Sequence, residues 1–402
     1  MKALQIKRSV ARLGLARVAS ALGAAAAVKV GPLEYTSVDA PDLPGDRWHR
    51  VRTRLSGICG SDLSMIEGHA STYFDDVVSF PFVPGHEVVG SLDDGTKVAL
   101  EPVLGHAARG LPLPFDGAAP GDGDDYAHLT GSEFGPDVDA GIQTGFCCST
   151  GGGWAPEFVA HESQLHRLDP DTPDEQAVLI EPLAGGIHAA LLAAKGASVR
   201  NADAPVIAVL GAGTMGLAAV AGLVRYVPEA RVVVGARYDH QQRAARALGA
   251  RAGTDITVVP ANELARAVRR LDGCRVIGDH LSGGAHAVID AVGTTDSIVD
   301  CLRITRPRGR TVLMGMPAEV TLDLTGLWHR ETELVGAYTY GTETLADGSC
   351  RRTFDLAIET AVAIEAEQWV TATYRLADPV DAIAHAATAG RRGAIKIAFD
   401  LR

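Results

Sequence analysis

One stretch of the chain constrains the fold more than any other: a glycine-rich turn between a strand and a helix. Residues 206–210 (VIAVL) form a continuous apolar run, which is typical of a buried parallel strand. A G-x-G-x-x-G turn follows at once, and residues 214–226 then have helical spacing. Such a turn lets a backbone approach a pyrophosphate at a helix N-terminus, so it predicts a dinucleotide site. Its candidate cofactor-binding residues are Gly211, Gly213, Thr214, Met215 and Gly216.

The same alternation of strand and helix extends over about 187–336. Strand-like runs at 232–234, 286–290 and 311–314 alternate with helical spacing at 240–249 and near 295–304. This pattern predicts an α/β domain with a doubly wound parallel sheet of the Rossmann type.

The flanking segments have a different pattern. Residues 1–100 contain short runs broken by Pro and Gly, which predict a β module with strands at 47–56, 77–83 and 87–91. Strand-like patterning returns at 152–168, and the tail has helical spacing at 353–366 and a last strand from Ala394 to Phe399. We expect segments 1–186 and 337–402 to form one catalytic domain around an inserted domain, 187–336.

Residues 103–145, here called the lobe, are rich in Gly, Pro and Asp and have little regular periodicity. We expect a long loop, because loops of this length within a domain are usually functional or poorly ordered. The N-terminus has no acidic residue before Glu34, which is typical of a targeting segment. Residues 1–6 nevertheless alternate like a strand and 11–22 have helical spacing, so we favour a structural N-terminus.

Composition excludes several functions. The net charge of -12 argues against nucleic acid or an anionic membrane as a partner. The most apolar stretch, around 177–194, carries Glu181 and His188, which argues against a membrane span. Six scattered cysteines have no disulfide-framework spacing, so we expect a reducing compartment and a cytoplasmic protein.

The end of the second strand of the inserted domain bears on the choice of cofactor. An NAD site usually has a carboxylate there for the ribose 2′-hydroxyl, but this chain has Gly235, Ala236 and Arg237. A guanidinium suits a 2′-phosphate, so we predict NADP rather than NAD as the cofactor. In the alternative, Arg237 is a solvated surface residue and NAD is used.

Zinc-ligand residue types occur in separate short motifs. Cys59 lies in GICGSD, His86 and Glu87 lie in PGHEVVG, and Glu181 begins EPLAGGIHA. Thiolate, imidazole and carboxylate together can hold a catalytic zinc with one position left open. The structural alternatives are a buried cysteine for Cys59, a core histidine for His86, an N-cap or ion-pair residue for Glu87 and a helix-start residue for Glu181.

Five motifs, in this order, make the chain resemble the zinc-dependent medium-chain dehydrogenase/reductase family, which includes alcohol, sorbitol, threonine and glucose dehydrogenases. They are GICGSD (57–62), PGHEVVG (84–90), GGGWAPEFV (151–159), EPLAGGIHA (181–189) and GAGTMG (211–216). The resemblance implies a GroES-like β catalytic domain with an inserted Rossmann domain. It also implies hydride transfer between an alcohol, polyol or sugar hydroxyl and NADP.

The resemblance assigns roles residue by residue. Cys59 and His86 correspond to catalytic zinc ligands. Glu87 corresponds to a carboxylate that ligates zinc or exchanges with water, and Glu181 to a ligand that acts directly or through water. Ser61 corresponds to a hydroxyl that relays the substrate proton, and Asp62 to a group that orients His86.

The sequence departs from the family in two places. The lobe contains no cysteine, so we predict one catalytic zinc and no structural zinc. Ser64 stands where classical members have a distal relay histidine; either His69 substitutes for it or the relay ends in water. Trp154 and 338–340 are candidates for lining a substrate pocket.

Other readings remain open from sequence alone. The chain could be an NAD-dependent amino-alcohol dehydrogenase of the threonine type, or a catalytically inactive cofactor-binding member. Segment 331–338 resembles the edge strand through which family members pair, so a homodimer or homotetramer is expected.

Overall fold

The computed structural model describes residues 1–131 and 137–402. The loop expected over 103–145 therefore lies partly outside the described residues. Within the described part, the lobe contains short 3-10 turns at Ala107–Arg109 and Ala127–Thr130. The chain divides into two compact units: Met1–Glu181 with Glu365–Arg402, and Pro182–Ile364.

The first unit contains mostly short strands together with several helices, of which the sequence predicted the one near 11–22. Its elements up to the first unit boundary are β1 (Lys2–Ile6), α1 (Val10–Ala19), α2 (Ala24–Val30), β2 (Leu33–Ser37), β3 (Trp48–Gly57), α3 (Gly60–Ile66), β4 (Val88–Ser91), β5 (Lys97–Leu100), β6 (Glu157–His161), β7 (Leu165–Arg167) and α4 (Asp174–Ala177).

The second unit is built on a parallel sheet. Its elements are α5 (Ile180–Ala194, which begins at the end of the first unit), α6 (Ala197–Arg200), β8 (Val206–Leu210), α7 (Thr214–Tyr226), β9 (Arg231–Ala236), α8 (Asp239–Ala252), β10 (Thr257–Pro260), α9 (Leu264–Asp272), β11 (Val276–Ile277), β12 (His280–Leu281), β13 (Ala285–Asp290), α10 (Thr295–Ile304), β14 (Thr305–Leu313), α11 (Thr325–His329), β15 (Glu333–Gly336), β16 (Thr342–Thr344), β17 (Cys350–Arg352) and α12 (Thr353–Ala363).

The strand order of this sheet is β10-β9-β8-β13-β14-β15, and every neighbouring pair is parallel. Strand β8 is buried along its whole length, which explains why its sequence is a continuous apolar run rather than an alternating one. The predicted doubly wound sheet is confirmed.

The chain then returns to the first unit through β18 (Val370–Tyr374), α13 (Pro379–Ala387) and β19 (Lys396–Asp400). The sheet there has the order β18-β19-β3-β4-β5-β7, with β6 also paired to β3. Strand β19 runs antiparallel to β3 and pairs Ala398 with Gly57. The last strand of the chain therefore lies beside the segment that leads to Cys59.

The unit boundaries differ from those expected at 186/187 and 336/337. Residues 337–364 belong to the second unit because they pack on its helices. The Tyr226 hydroxyl on α7 donates a hydrogen bond to the Leu356 carbonyl on α12 at 3.0 Å. The buried Glu343 carboxylate on β16 pairs with Lys195 at 2.9 Å and with His188 on α5.

The strand predicted at 77–83 is wrong. Its described residues form only isolated bridges, from Val78 to Gly141 and from Ile6 to Phe82. Pro81 has no amide hydrogen to donate to a ladder, so the apolar run cannot continue as a paired strand. Helix α2 and strand β2 had no sequence prediction. Helix α1 begins one residue before the segment 11–22 that was expected to be helical, and a 3-10 turn follows it to Leu22.

By length and composition, one helical segment among the described residues, Asp174–Ala194, could cross a membrane. However, 72% of its most apolar window is buried inside the protein. This burial is typical of the core helix of a globular unit.

Candidate functional site

The turn between β3 and α3 positions Cys59. Cys59 is the N-cap residue of α3, and its backbone N–H donates to Oδ2 of Asp62 at 2.9 Å. A carboxylate in the first turn of a helix also interacts favourably with the helix dipole. This cap fixes the backbone from which the Cys59 side chain projects, and it leaves the other Asp62 oxygen for a different contact.

His86 and Glu87 immediately precede strand β4, and both are buried. Gly85 has φ +99°, and any side chain there would collide with Trp154 and Ser56. A Cβ at Gly57 would collide with Oε2 of Glu87. Two glycines are therefore needed for this carboxylate and imidazole to reach the site.

The ligand atoms of Cys59, His86 and Glu87 all lie within 4.8 Å of one another. Cys59 comes from one segment, and the adjacent residues His86 and Glu87 come from another. These three residues are the group of potential metal ligands found in the part of the chain that the structure describes. A sulfur, a nitrogen and an oxygen at this spacing match the donor set and size of a zinc site.

Asp62 lies beside His86 and acts on its pKa. Its buried Oδ1 lies 3.6 Å from His86 Nδ1. Burial opposes a charged imidazole, but the Asp62 carboxylate and a hydrogen bond with Cys59 outweigh it and raise the pKa of His86 to about 10. Without a metal, the imidazole therefore keeps its proton at neutral pH.

Lys396, which the sequence interpretation missed, completes the buried cluster. It lies on β19, its side chain is 4% exposed, and its ammonium contacts Oε2 of Glu87. It also donates to the Ile58 carbonyl at 3.1 Å. Burial disfavours the ammonium, but the charges of Glu87 and Cys59 overcome it and raise the pKa of Lys396. A single cation within the apolar strand 394–399 was the available sequence signal.

Glu181 and Ser61 lie at the starts of helices and are half-buried. Glu181 is the second residue of α5, and its charge raises the pKa of both His86 and Lys396. Ser61 lies in the first turn of α3, two residues after Cys59. The structure thus places Glu181 within electrostatic reach of the buried cluster.

A zinc ion fits the side chains that are present. Oε1 of Glu87 is buried without a hydrogen-bond partner in the described residues. Buried polar atoms are rarely left unsatisfied, and unsatisfied ones point to a missing ion or ligand. Cys59 and His86 would hold the metal, with Glu87 and Glu181 as the carboxylates at hand.

The glycine-rich turn of the second unit has the predicted geometry. Gly211 has φ +95°, and its N–H donates to the Gly235 carbonyl at 2.9 Å. A side chain at Gly216 would collide with the Gly211 backbone, whereas nothing lies within 4 Å of a Cβ at Gly213. Gly213 caps α7 and leaves its N-terminus open, as a bound phosphate requires.

The other two residues of this turn begin α7. Thr214 is its first residue. The Met215 methyl carbon lies 3.0 Å from where a Cβ would be at Gly185, so this side chain faces α5. Met215 would therefore support the turn by packing, while its backbone stays available to a ligand.

The end of β9 has a buried apolar part and an exposed basic residue. Gly235 and Ala236 are buried, and a Cβ at Gly235 would lie 3.1 Å from Leu264 Cδ2 and 3.4 Å from Ala261 Cα. Arg237 is exposed, with its guanidinium 5.6 Å from the Tyr238 ring centre. A carboxylate at Gly235 would therefore require Leu264 and Ala261 to shift slightly, whereas Arg237 presents a cation at this corner.

Two other predicted positions have structural roles. Trp154 is fully buried, packs on Phe399 and donates from its indole to the Gly57 carbonyl at 3.3 Å. It therefore does not line a pocket, contrary to expectation. The His69 Nε2 atom lies 3.0 Å from Ser20 Oγ. The candidate relay histidine therefore contacts the N-terminal helical segment.

Comparison with known proteins agrees with this geometry. Residues 45–170 match the family model described as alcohol dehydrogenase GroES-like domain, and residues 214–354 match zinc-binding dehydrogenase. Sorbitol dehydrogenase of Ovis aries is 27% identical over 314 residues, which is 77% of this chain and 80% of that protein. D-xylulose reductase of Scheffersomyces stipitis is 26% identical over 389 residues, 92% of this chain and 96% of the reductase.

The fold is also found in a solved structure of Haloferax mediterranei glucose dehydrogenase in complex with NADP, Zn and gluconolactone. The TM-score is 0.64 at 19% identity, over 100% of this chain and 99% of that one. The matched domains, the relatives and the buried Cys59–His86–Glu87 cluster lead to one conclusion. The chain belongs to the zinc-dependent medium-chain dehydrogenase/reductase family and is an enzyme of the alcohol or polyol dehydrogenase type.

Proposed function

We propose that this enzyme oxidises a secondary hydroxyl of a polyol or sugar, or reduces the corresponding carbonyl, with NADP as its preferred cofactor. The observation that supports the chemistry best is the convergence of Cys59, His86 and Glu87 in one buried cluster. The polyol-active names of the relatives, sorbitol dehydrogenase and D-xylulose reductase, support the substrate class.

The residues of the site would have separate roles in metal binding, proton transfer and positioning. Zinc held by Cys59 and His86, with Glu87 or Glu181, would supply Lewis acidity that favours loss of the hydroxyl proton. The Ser61 hydroxyl would accept that proton and pass it towards solvent. Asp62 would orient the His86 ring, and Lys396 would hold the Glu87 carboxylate.

Metal analysis and a substrate screen test the chemistry. We expect about one zinc per chain, lost in Cys59→Ala, and activity on polyols or sugars that disappears with the metal. Ser61→Ala should keep the zinc and lower kcat, because only proton transfer is affected. Cys350→Ala is a matched control, since Cys350 is an exposed thiol of the second unit. A purified protein that binds nucleotide but no zinc would refute the proposal.

The preference for NADP rests on the corner formed by Gly235, Ala236 and Arg237. The Arg237 guanidinium is exposed, and it makes no ion pair within the described residues. A planar, permanently charged fork can bind a phosphate through two hydrogen bonds.

Nucleotide titration tests this preference. Arg237→Ala should weaken NADPH binding by about 10- to 100-fold, since hydrogen bonds to a charged group contribute about 1.5–3 kcal/mol, and should leave NADH binding unchanged. Arg243→Ala, also exposed but on α8, is the control for a general loss of positive charge. Equal losses for both nucleotides would contradict the assignment.

We further propose a homo-oligomer that pairs through β15, the edge strand of the parallel sheet. A reducing compartment such as the cytoplasm fits the six free cysteines. One zinc per chain, with none in the lobe, remains our expectation.

A further inference from the structure

Arg109, in the lobe, has an unusual environment for an arginine. It ends the 3-10 turn Ala107–Arg109, and it is completely buried. Arginine is among the residues least often fully buried, because its charge is costly to remove from water. Its burial therefore requires a specific set of partners.

Those partners are backbone carbonyls. The Arg109 Nε atom donates to Leu104 at 3.3 Å, and Nη2 donates to Gly141 at 2.8 Å. Nη1 donates to Val138 at 3.2 Å and to Asp139 at 3.1 Å. The Asp139 carboxylate attracts the guanidinium at longer range, but within the described residues no carboxylate forms an ion pair with it. Carbonyl dipoles surround the cation, as carbonyl oxygens surround a bound metal ion.

The four carbonyls lie on both arms of the lobe. Leu104 belongs to the arm that leaves the core of the first unit, and 138–141 belong to the arm that returns. Backbone hydrogen bonds join the same arms, from Leu104 N–H to the Ile142 carbonyl at 3.3 Å. The guanidinium therefore lies where the two arms meet, and it closes the base of the lobe.

The return arm leads directly to the metal cluster. Its Gly145 has φ +90° and packs on the backbone of Gly85, the residue before His86. The next residue, Phe146, places its ring 5.2 Å from Phe82 and 5.8 Å from the His86 ring. Any displacement of the return arm would therefore loosen the wall against which the imidazole packs.

We propose that the Arg109 guanidinium is a built-in cation that closes the lobe and positions the return arm against His86. The lobe then needs no metal ion of its own, in keeping with the absence of cysteine from residues 103–145. The effect on His86 rests on the proposed zinc function, whereas closure of the lobe does not.

Hydrogen exchange measured by mass spectrometry tests the closure, with peptides from the described parts of the lobe, 103–131 and 137–145, followed in the full-length protein. In the wild type, their protection should persist when a chelator removes zinc. In Arg109→Ala their exchange should speed up, and millimolar guanidinium chloride should restore protection, because free guanidinium can refill the cavity. Sodium chloride should not. Unchanged protection in Arg109→Ala, or loss of wild-type protection on chelation, would overturn the proposal.

Zinc affinity tests the positioning role. Arg109→Ala should weaken zinc binding about tenfold, the lower range for loss of a group that orients a metal ligand, and guanidinium should reverse the loss. Arg47→Ala is the matched control, since it removes an exposed arginine of the same unit. If Arg109→Ala does not fold, Arg109→Lys keeps the charge but not the fork, and it should show intermediate protection and zinc affinity; wild-type values would overturn the proposal. A wild type that binds no zinc but keeps the lobe closed would refute the proposed function alone.

Discussion

At the residue scale, the proton on His86 competes with the metal. Because the pKa of His86 in the metal-free protein is raised to about 10, zinc must displace this proton throughout the neutral range. Zinc affinity should therefore rise as pH rises from 6 to 8, by about tenfold per unit from His86 alone, since one proton is released. Competition titration with a chromophoric chelator across this range measures the slope.

Asp62→Asn separates this electrostatic effect from capping. The amide oxygen can still accept the hydrogen bond from the Cys59 N–H, but the charge that raises the pKa of His86 is gone. We expect a shallower dependence of zinc affinity on pH in this variant. A slope equal to that of the wild type would show that Asp62 does not set the protonation of His86.

Lys396 should matter more before zinc binds than after. Lys396→Met leaves the buried Glu87 carboxylate without its cation, which costs roughly 3–5 kcal/mol when one partner of a buried pair is removed. Bound zinc would supply a replacement charge, so the loss in the free energy of unfolding should be smaller in the zinc-loaded enzyme. Urea unfolding with and without zinc measures both values.

Lys97→Met is a suitable comparison, because Lys97 also pairs with an acid of the first unit but lies away from the metal cluster. The loss in the free energy of unfolding that Lys97→Met causes should be the same with and without zinc. If Lys396→Met lowers the free energy of unfolding equally in the zinc-free and zinc-loaded enzyme, Lys396 and the metal do not both interact with Glu87.

At the scale of elements, Asp174 joins pieces of the first unit that are distant in sequence. From the N-terminal end of α4, its carboxylate pairs with Arg54 on β3 at 2.8 Å, with Lys97 on β5 at 3.3 Å and with Arg402 at 3.5 Å. Burial raises the pKa of Asp174, but the hydrogen bond and charge of Arg54, together with Lys97, outweigh it and keep the pKa below its ordinary value.

This lowered pKa predicts the sign of a pH effect. A depressed folded-state pKa contributes stability above the ordinary value of about 4, and this contribution is lost as pH falls through the folded-state value. Asp174→Asn should lower the free energy of unfolding by roughly 3 kcal/mol at neutral pH, the low end for a buried pair with partly exposed partners. The difference from the wild type should shrink below pH 4, as urea unfolding at several pH values can measure.

Asp171→Asn, an exposed change in the preceding turn, should have little effect at any pH. A constant difference between wild type and Asp174→Asn down to pH 2 would mean that Asp174 stabilises the unit by shape rather than by charge.

At the scale of the whole molecule, two of the apolar surfaces among the described residues are candidate sites for another chain. One is the edge strand β15, with half-buried Leu334 and Val335. The other is the N-terminal helical segment, where Val18 is 75% and Leu22 is 87% exposed. Strand pairing across an edge satisfies backbone groups as well as apolar side chains, so we expect assembly through β15.

Light scattering after size-exclusion chromatography distinguishes the two surfaces. Leu334→Arg should shift the protein towards monomer, whereas Val18→Asp, which changes the other surface by a similar amount of charge, should not. The opposite result would place the interface on the N-terminal helices.

The sequence predicts the second unit better than the first, for a physical reason. The runs at 206–210 and 214–226 match β8 and α7 to the residue, because parallel strands and their crossover helices carry their burial pattern locally. In contrast, the run at 77–83 has strand-like composition without strand pairing. The residues that sequence alone missed, Lys396 and Arg109, act through partners from distant segments or backbone carbonyls, which leave no local pattern.

The packing behind Gly235 restricts how this lineage could change. An aspartate at this position would press on Leu264 and Ala261, which would have to shift by a few tenths of an ångström. Cofactor choice here is thus coupled to the packing at the start of α9: a gain of acid at Gly235 is less strained once Leu264 is smaller. Descendants that switch cofactor are expected to be enriched in smaller residues at position 264.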